Sequence, residues 1–288
     1  MWNIATPSAH RELPDPISTF HTSILFLRRL TLLVFLVCVA ASISPAQSVL
    51  TQHNDNSRTG QNTNETILTT SNVKVGQFGK LFSLPVDGQV YAQPLYVPGV
   101  SINGATHNVL IVATEADSVY AFDADSNAAP LWKASLVDTA HGAGSGETPL
   151  NSLTTIGCSD LQPTIGITAT PVIDSSSNTI YVEAKSTNGS SFFHRLHALA
   201  LGTGAEKSPG PALITATVNG TGDGSNAGKL TFDSLHQQAR PGLLLVNGAT
   251  MLPSLPTAIL ARTTDGYSPT MRRRLPRRAT SSRHRTAA

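Results

Sequence analysis

The feature that most constrains this chain is a pair of similar segments, each predicted to form a strand, a two-stranded hairpin and a turn. The first covers residues 90–126 and the second covers residues 167–204. Their landmarks keep a constant spacing, because Pro94 and Pro171 are 77 residues apart, as are Ala121 and Ala198. A repeated sheet unit buries both faces when it stacks between copies of itself, which favours an all-β fold of the β-propeller type.

The composition of the middle of the chain supports this fold class. Residues 47–249 are rich in Thr, Ser, Gly, Asn and Val and poor in the Glu, Lys and Arg residues that fill exposed helix faces. They contain nine basic and fifteen acidic residues, whereas the whole chain has 20 Lys plus Arg and 18 Asp plus Glu. The basic character of the chain therefore comes from its two ends.

The turn after each hairpin carries a shared motif. The segments are VYAFDADSNAAPLW, residues 119–132, and HALALGTGAEK, residues 197–207. They resemble the repeat of quinoprotein (PQQ) dehydrogenases and their propeller relatives, in which Ala-x-Asp-x-x-Thr-Gly precedes a tryptophan that docks between blades. The matching residues are Ala121, Asp123, Ser126 in the Thr place, Asn127 in the Gly place, Trp132 one residue late, Ala198, Thr203 and Gly204.

The motif also has a physical cause. Gly and Asn suit a left-handed turn, and Thr or Ser can bond the nearby backbone. The second segment departs from the pattern, since Ala200 replaces the Asp and no Trp follows. The resemblance covers roughly residues 78–249.

The resemblance implies a quinone cofactor, PQQ, and calcium, but the residues of this chain do not support either. The family dehydrogenases hold the quinone with two adjacent cysteines, a stacking Trp and a calcium cradle drawn from many blades. This chain has only Cys38 and Cys158. We therefore expect no vicinal disulfide, no cysteine zinc cluster and no catalytic residue.

Near the N-terminus the sequence predicts a signal peptide. Arg28 and Arg29 precede an apolar run at residues 30–41, and small residues follow at Ser44 and Ala46. The run is too short to cross a hydrocarbon core of ~30 Å as a helix, but it suits a signal sequence. We expect a signal-peptide helix and cleavage between Ala46 and Gln47, which would leave no stable membrane span and an exported protein, periplasmic or extracellular.

Other interpretations of this region are an uncleaved anchor and a buried core helix. The Arg pair resembles a twin-arginine signal, but Leu27 stands where that motif has Ser or Thr, so the ordinary export route is favoured. Residues 1–46 are thus a signal peptide with an overlong leader, and residues 47–77 form a polar lead-in to the repeats.

A third unit begins at residue 236, but the pattern then breaks. Residues 78–249 contain two repeat units and the predicted first strand of a third. Four prolines between residues 253 and 276 disfavour paired strands, and residues 250–288 hold eight Arg and one acid. We expect residues 250–288 to be a disordered basic tail.

This tail is interpreted as out-of-frame sequence that truncates a propeller. Restoring one base after the Ala249 codon, with permitted synonymous codons, converts ATMLPSLPTAILARTTDGYSPTMRRRL into AIYVAFASHCDIGPYHGWVLAYDATTL. The restored WVLAYDATT aligns with VYAFDADS at residues 119–126. Sequencing the gene tests this: we expect further blades in frame downstream of a one-base correction, and their absence would contradict the hypothesis.

Other candidate sites have simpler explanations. The tail arginines could attract phosphates, but no aromatic residue interleaves them, so no nucleic-acid partner is expected. Asp123, Asp125 and Asn127 open like an EF-hand loop, yet Ala128 and Ala134 stand at its Gly and Glu places. The glycine-rich segments 141–147 and 219–226 predict a mobile loop and an inter-unit connection.

The histidines are expected to be structural or at the surface. His194 and His197 lie three residues apart, and such residues on a strand face opposite sides, so they would not share a metal with each other or with His236.

The sequence thus predicts an exported, partial β-propeller segment. It is expected to be a non-catalytic binding or scaffold module for an unidentified ligand or protein, or a non-functional truncated product. The alternative is a fragment of a PQQ-dependent oxidoreductase.

Overall fold

The computed structural model describes residues 47–157, 159–221, 223–252 and 259–262. The predicted signal peptide, Ala46 included, and most of the predicted tail lie outside these residues. The strands are β1 (Leu95–Ile102), β2 (Ala105–Ala113), β3 (Ser118–Asp123), β4 (Trp132–Ser135), β5 (Thr148–Asn151), β6 (Thr164–Ile165), β7 (Val172–Asp174), β8 (Thr179–Thr187), β9 (Phe192–Ala200), β10 (Ala212–Leu213), β11 (Thr217–Asn219), β12 (Lys229–Thr231), β13 (Leu244–Val246), β14 (Ala249–Leu252) and β15 (Ile259–Arg262).

Sheet 1 is an antiparallel meander in the order β1-β2-β3-β4. Its middle strands carry apolar residues on both faces, since Ile111 and Ala121 belong to one buried cluster and Val112 and Phe122 to another. A break in register between Val97 and Val100 bends β1. The β2–β3 hairpin closes through Asp117, whose φ of 56° is left-handed.

Sheet 2 repeats this meander as β7-β8-β9-β10. The strand β5 pairs with β8 at Thr187 and Ser186, and β6 pairs with β5. The strand β7 pairs with the same edge of β8, but at its beginning. The strands β5 and β6 belong to the stretch between sheets 1 and 2, which also contains a 3₁₀ turn at Thr139–His141 and a π-helical turn at Ser152–Ile156. The sequence pattern did not predict this inserted structure.

Sheet 3 has the order β13-β14-β15. The prediction of a single strand in the third unit and of no strand after residue 249 was therefore wrong. Neither additional strand contains proline, since Pro253 and Pro256 lie in the sequence between them. The segment 219–226, predicted to connect two units, instead joins β11 to β12 in a separate hairpin.

The sheets stack face to face. Sheet 1 packs on one face of sheet 2 through an apolar cluster that includes Ile111, Ala121, Ile180 and Val182. The opposite face of sheet 2 packs on Leu243 and on Leu245 of β13, through a second cluster. The middle strand β8 is consequently buried along its whole length.

Trp132 closes the contact between sheets 1 and 2. It is the first residue of β4, and its indole N–H donates to the carbonyl oxygen of Leu201 at 3.0 Å. Its ring lies against Gly204, where a Cβ atom would come within 2.5 Å of Cε3. The left-handed φ of 72° at Gly204 completes the tight turn that accepts the ring.

The first described residues join the sheets at their first strands. Val49 exchanges backbone hydrogen bonds with Tyr96 of β1, and the Ile173 N–H of β7 donates to Leu50. Arg58 donates to the carbonyl oxygens of Gly242 and Leu243, just before β13. The polar lead-in is thus part of the fold.

The all-β prediction is confirmed: the described residues form antiparallel sheets with almost no helix. They make three stacked sheets and one hairpin, not a closed ring. Within the part of the chain that the structure describes, no helix has the length and apolar composition to cross a membrane.

The tryptophan contact generates a stability prediction. Gly204→Ala and Gly189→Ala both place alanine at positive φ, which should lower the free energy of unfolding by about 1–2 kcal/mol. Gly204→Ala should lose roughly a further 1–3 kcal/mol, because its Cβ would overlap Trp132, whereas nothing lies within 4 Å of Gly189. Urea unfolding measures both values, and equal losses would contradict the docking contact.

Candidate functional site

A buried ion pair lies at one end of the contact between sheets 1 and 2. Arg195 of β9 donates to both carboxylate oxygens of Glu147, with N–O distances of 2.6 and 2.9 Å. Ser186 donates to Glu147 at 2.7 Å, and the Gly144 backbone N–H donates to its other oxygen. Burial opposes ionisation of Glu147, but these hydrogen bonds together hold its pKa below the ordinary value. The carboxylate is charged and fully satisfied.

Beside this pair lies a carboxyl group without a hydrogen-bond partner. Asp117, in the β2–β3 turn, is completely buried, and neither side-chain oxygen has a partner of normal geometry among the described residues. Burial raises its pKa well above the ordinary value, although the Lys185 backbone N–H and Arg195 favour its charged form. Gly166 passes so close that a Cβ there would lie 2.6 Å from the carboxyl oxygen. Burial thus favours the protonated form of Asp117.

Glu115 occupies the same turn but a different environment. Its carboxyl oxygens are also buried without partners among the described residues, and burial raises its pKa, against the effect of the nearby Gln89 and Thr164 backbone. Among the described residues, no hydrogen bond joins its carboxyl group to that of Asp117. The two acids do not form one site, and no group of three or more metal-ligating side chains occurs among the described residues.

The opposite face of sheet 2 buries a second set of polar residues. His194 and Glu183 are joined at 3.1 Å, and Phe232 packs edge-on against the imidazole. The Lys185 ammonium donates to the carbonyl oxygens of Leu235 and Gln237 at 2.7 and 3.0 Å. Burial lowers the pKa of Lys185 to about 8, against the effect of nearby Asp233 and Glu183. This amine is enclosed by backbone and is not open to a substrate.

His197 and His236 each contact a carboxylate. His197 faces the other side of β9 from His194 and contacts Glu206 at 2.8 Å. Burial lowers the pKa of His197, which the Glu206 carboxylate partly offsets. His236 is exposed and pairs with Asp233. These histidines are structural or at the surface, as the sequence predicts.

Two exposed loops lie above the Glu147–Arg195 pair. The tip of the β8–β9 hairpin, residues 188–191, and the loop at residues 144–148 are neighbours because Thr148 pairs with Thr187. We call these two loops the tip surface. Asn188 fixes the hairpin tip by accepting from the N–H groups of Ser190 and Ser191. The glycine-rich segment 141–147, predicted to be mobile, is instead anchored by buried His141 and Glu147.

The residues of the repeat motif lie at the contact between sheets 1 and 2 and at the turns beside it. Ala121 is buried in that contact, Ala198 is half-buried on the other face of sheet 2, and Trp132 and Gly204 meet as described above. Thr203 accepts from the Ala205 N–H at 3.3 Å, and Ser126 from the Ala128 N–H at 3.5 Å, so both use the hydroxyl in the same way. These contacts are structural, since they join the two sheets or close the turns beside them.

One expectation for the first motif, a left-handed turn at Asn127, is wrong. Asn127 does not adopt the left-handed conformation, because the turn after β3 is closed earlier, where the N–H groups of Asp125 and Ser126 donate to Asp123. Both acids of this motif contact protein side chains: Asp123 lies 2.8 Å from His107 Nδ1, and Asp125 accepts from Asn108. The signal-cleavage residue Gln47 is half-buried beside the start of the fold.

Sequence reasoning missed the ion pair and Asp117. Glu147 and Arg195 are 48 residues apart, and no spacing links them. The available signal was a lone arginine among apolar residues of β9, which needs a buried acid as partner.

The comparisons with known proteins do not assign this chain to a family. The chain matches no protein-family model and no curated protein.

The ion pair generates a prediction. Arg195→Met should lower the free energy of unfolding by about 3–5 kcal/mol, because it leaves the buried Glu147 carboxylate without its counter-ion. Lys133→Met removes the exposed pair with Asp87 and should change it by less than about 1 kcal/mol. Chemical denaturation at neutral pH compares the two, and similar effects would contradict a buried pair.

Asp117 generates a pH prediction. A carboxyl whose folded pKa is raised binds its proton more tightly in the folded state, so stability falls as pH rises. The fall should begin near the unfolded value of 3.8 and end at the raised folded pKa. Asp117→Asn should flatten this part of the profile of unfolding free energy against pH. An unchanged slope would show that Asp117 is not the responsible group.

Proposed function

We propose that the chain is an exported β-propeller segment that acts as a non-catalytic binding or scaffold module. The observation that carries this proposal is the state of its reactive side chains. Glu147 with Arg195, Glu183 with His194, and Lys185 are buried between sheets and held by protein groups. Such residues stabilise a scaffold and are not available to a substrate.

The propeller architecture itself is part of the proposal. In its favour, sheets 1 and 2 repeat the same four-stranded meander and stack face to face, with sheet 3 continuing the row. The Trp132 ring contacts the Gly204 turn of the next unit, as the resemblance to quinoprotein repeats implies. Export rests on the signal pattern at residues 28–46.

The tip surface is the part that we assign to binding. It is exposed, and it is rich in Ser, Gly, Asn and Thr, which supply adaptable hydrogen bonds. Its two loops stand on a rigid base, because Glu147 connects one loop to Ser186 and Arg195 of the sheet below. Exposed loops fixed on a rigid scaffold are common binding elements. The partner is a ligand or protein that such polar loops can contact.

Site-specific crosslinking tests this assignment. A photo-crosslinking residue at Ser190 of the tip should give a defined adduct in the producing cells. The same residue at Ser176 is the matched control, since that exposed turn lies at the other end of β8, about 30 Å away. No adduct at Ser190, or the same adducts from both positions, would contradict binding at the tip and favour a non-functional truncated product.

The alternative is a fragment of a PQQ-dependent oxidoreductase. The Trp132 contact favours it, since it is the blade contact that the resemblance implies. The residues do not fit the cofactor: Cys38 and Cys158 are far apart in sequence, and the described residues offer no calcium cradle. Adding PQQ and calcium to the purified chain should give neither quinone absorbance on the protein nor dye reduction. Either signal would favour the alternative.

A further inference from the structure

An extended segment before sheet 1 behaves as a strand without a sheet. Residues 81–86 alternate between exposed and half-buried positions, the period-2 pattern of a strand. Leu84 and Val86 pack on the outer face of sheet 1, against Val112, Tyr120 and Phe122. We call residues 81–86 the outer segment.

The backbone of the outer segment has no sheet partner. Among the described residues, no backbone hydrogen bond joins residues 79–86 to another strand. Its outward side is apolar at Leu81, which is 91% exposed. Unpaired N–H and C=O groups with an exposed apolar side chain form an edge that another sheet can add to.

The outer segment packs on sheet 1 in the way that the end of β4, the outermost strand of sheet 1, packs on sheet 2. In sheet 1 the last strand β4 ends at Ser135, and Leu136 then packs toward sheet 2. The sequence SLVD at residues 135–138 corresponds to SLPVD at residues 83–87, and Leu84 packs toward sheet 1. Pro85 suits such a strand, since an outermost strand leaves one edge unpaired.

Sheet 3 lacks the strand that the outer segment would supply. Sheets 1 and 2 each have a fourth strand, β4 and β10, whereas sheet 3 ends at β15 among the described residues. Within one chain the outer segment cannot reach sheet 3, because of the order in which the sheets are stacked. Sheets 1 and 3 contact opposite faces of sheet 2, and the outer segment lies on the far face of sheet 1.

We propose that the outer segment of one copy of this chain completes sheet 3 of a second copy, by pairing with β15. Leu84 and Val86 then remain on sheet 1 of their own copy. Leu81 becomes buried toward sheet 2 of the other copy. The contact joins two different surfaces, so it is head-to-tail and leads to a ring or an open chain of copies.

A pair of matched variants tests this proposal in the purified full chain. Leu81→Asp in the outer segment and Val75→Asp in the lead-in each replace a highly exposed apolar residue by an acid, so neither should disturb the fold. Light scattering should show that the wild-type mass rises with protein concentration and that Val75→Asp behaves in the same way. Leu81→Asp should stay at the mass of one chain, because its carboxylate would be buried in the assembly. Equal midpoints of urea unfolding at low protein concentration check that both variants are folded.

Hydrogen exchange adds an independent readout. The amides of residues 80–84 should exchange slowly in the associated protein and fast in Leu81→Asp. The proposal is overturned by a wild-type monomer at all concentrations, by association of Leu81→Asp, or by loss of association in both variants. Slow exchange of these amides in a monomer would also overturn it, since the strand would then be paired within one chain.

Discussion

The face-to-face contact between sheets 1 and 2 is the interaction on which the rest of this structure depends. A strand buries only one face against a single neighbour, so a four-stranded meander needs a second sheet to remove its apolar side from water. Ile111 and Ala121 from sheet 1 meet Ile180 and Val182 from sheet 2, and Trp132 covers the edge of this contact. Sheet 3 repeats the arrangement on the other side, which leaves β8 buried on both faces.

Burial on both faces explains the polar chemistry of the molecule. A strand that alternates apolar and polar residues normally sends the polar ones to water, but β8 has no face toward water. Glu183 and Lys185 on one face and Ser186 on the other must therefore find partners inside the protein. The buried pairs follow from the stacking of sheets. The burial of β8 and the pairing of its charges thus have one physical origin.

Local pattern predicted the class of fold and much of its repeat. The strands around Pro94 and Pro171 and the turn at Gly204 follow from alternation and from residues with special backbone preferences, which act over a few positions. The inserted strand β5 and the two added strands of sheet 3 could not be predicted, because pairing between distant segments decides them. Similarly, the sequence around Lys185 is typical of a strand residue that faces water. Its burial depends on the distant loop at residues 235–237, which covers it in the folded structure.

The candidate site was the least predictable part for the same reason. Glu147, Ser186 and Arg195 come from a glycine-rich loop and two strands, and only the fold brings them together. The motif residues were visible because their spacing is fixed by one turn. A contact between neighbouring units, such as that of Trp132 with Leu201, can be predicted only when a repeat indicates how the neighbouring sheets align.

Hydrogen exchange along the chain tests the stacked-sheet account most directly. If β8 is enclosed by sheets 1 and 3, the amides of residues 180–186 should exchange through global unfolding and be among the slowest in the protein. The amides of the exposed lead-in at residues 61–73 should exchange many times faster. Exchange of β8 at the rate of the lead-in would contradict the account, because it would mean that sheet 2 is not buried between two others.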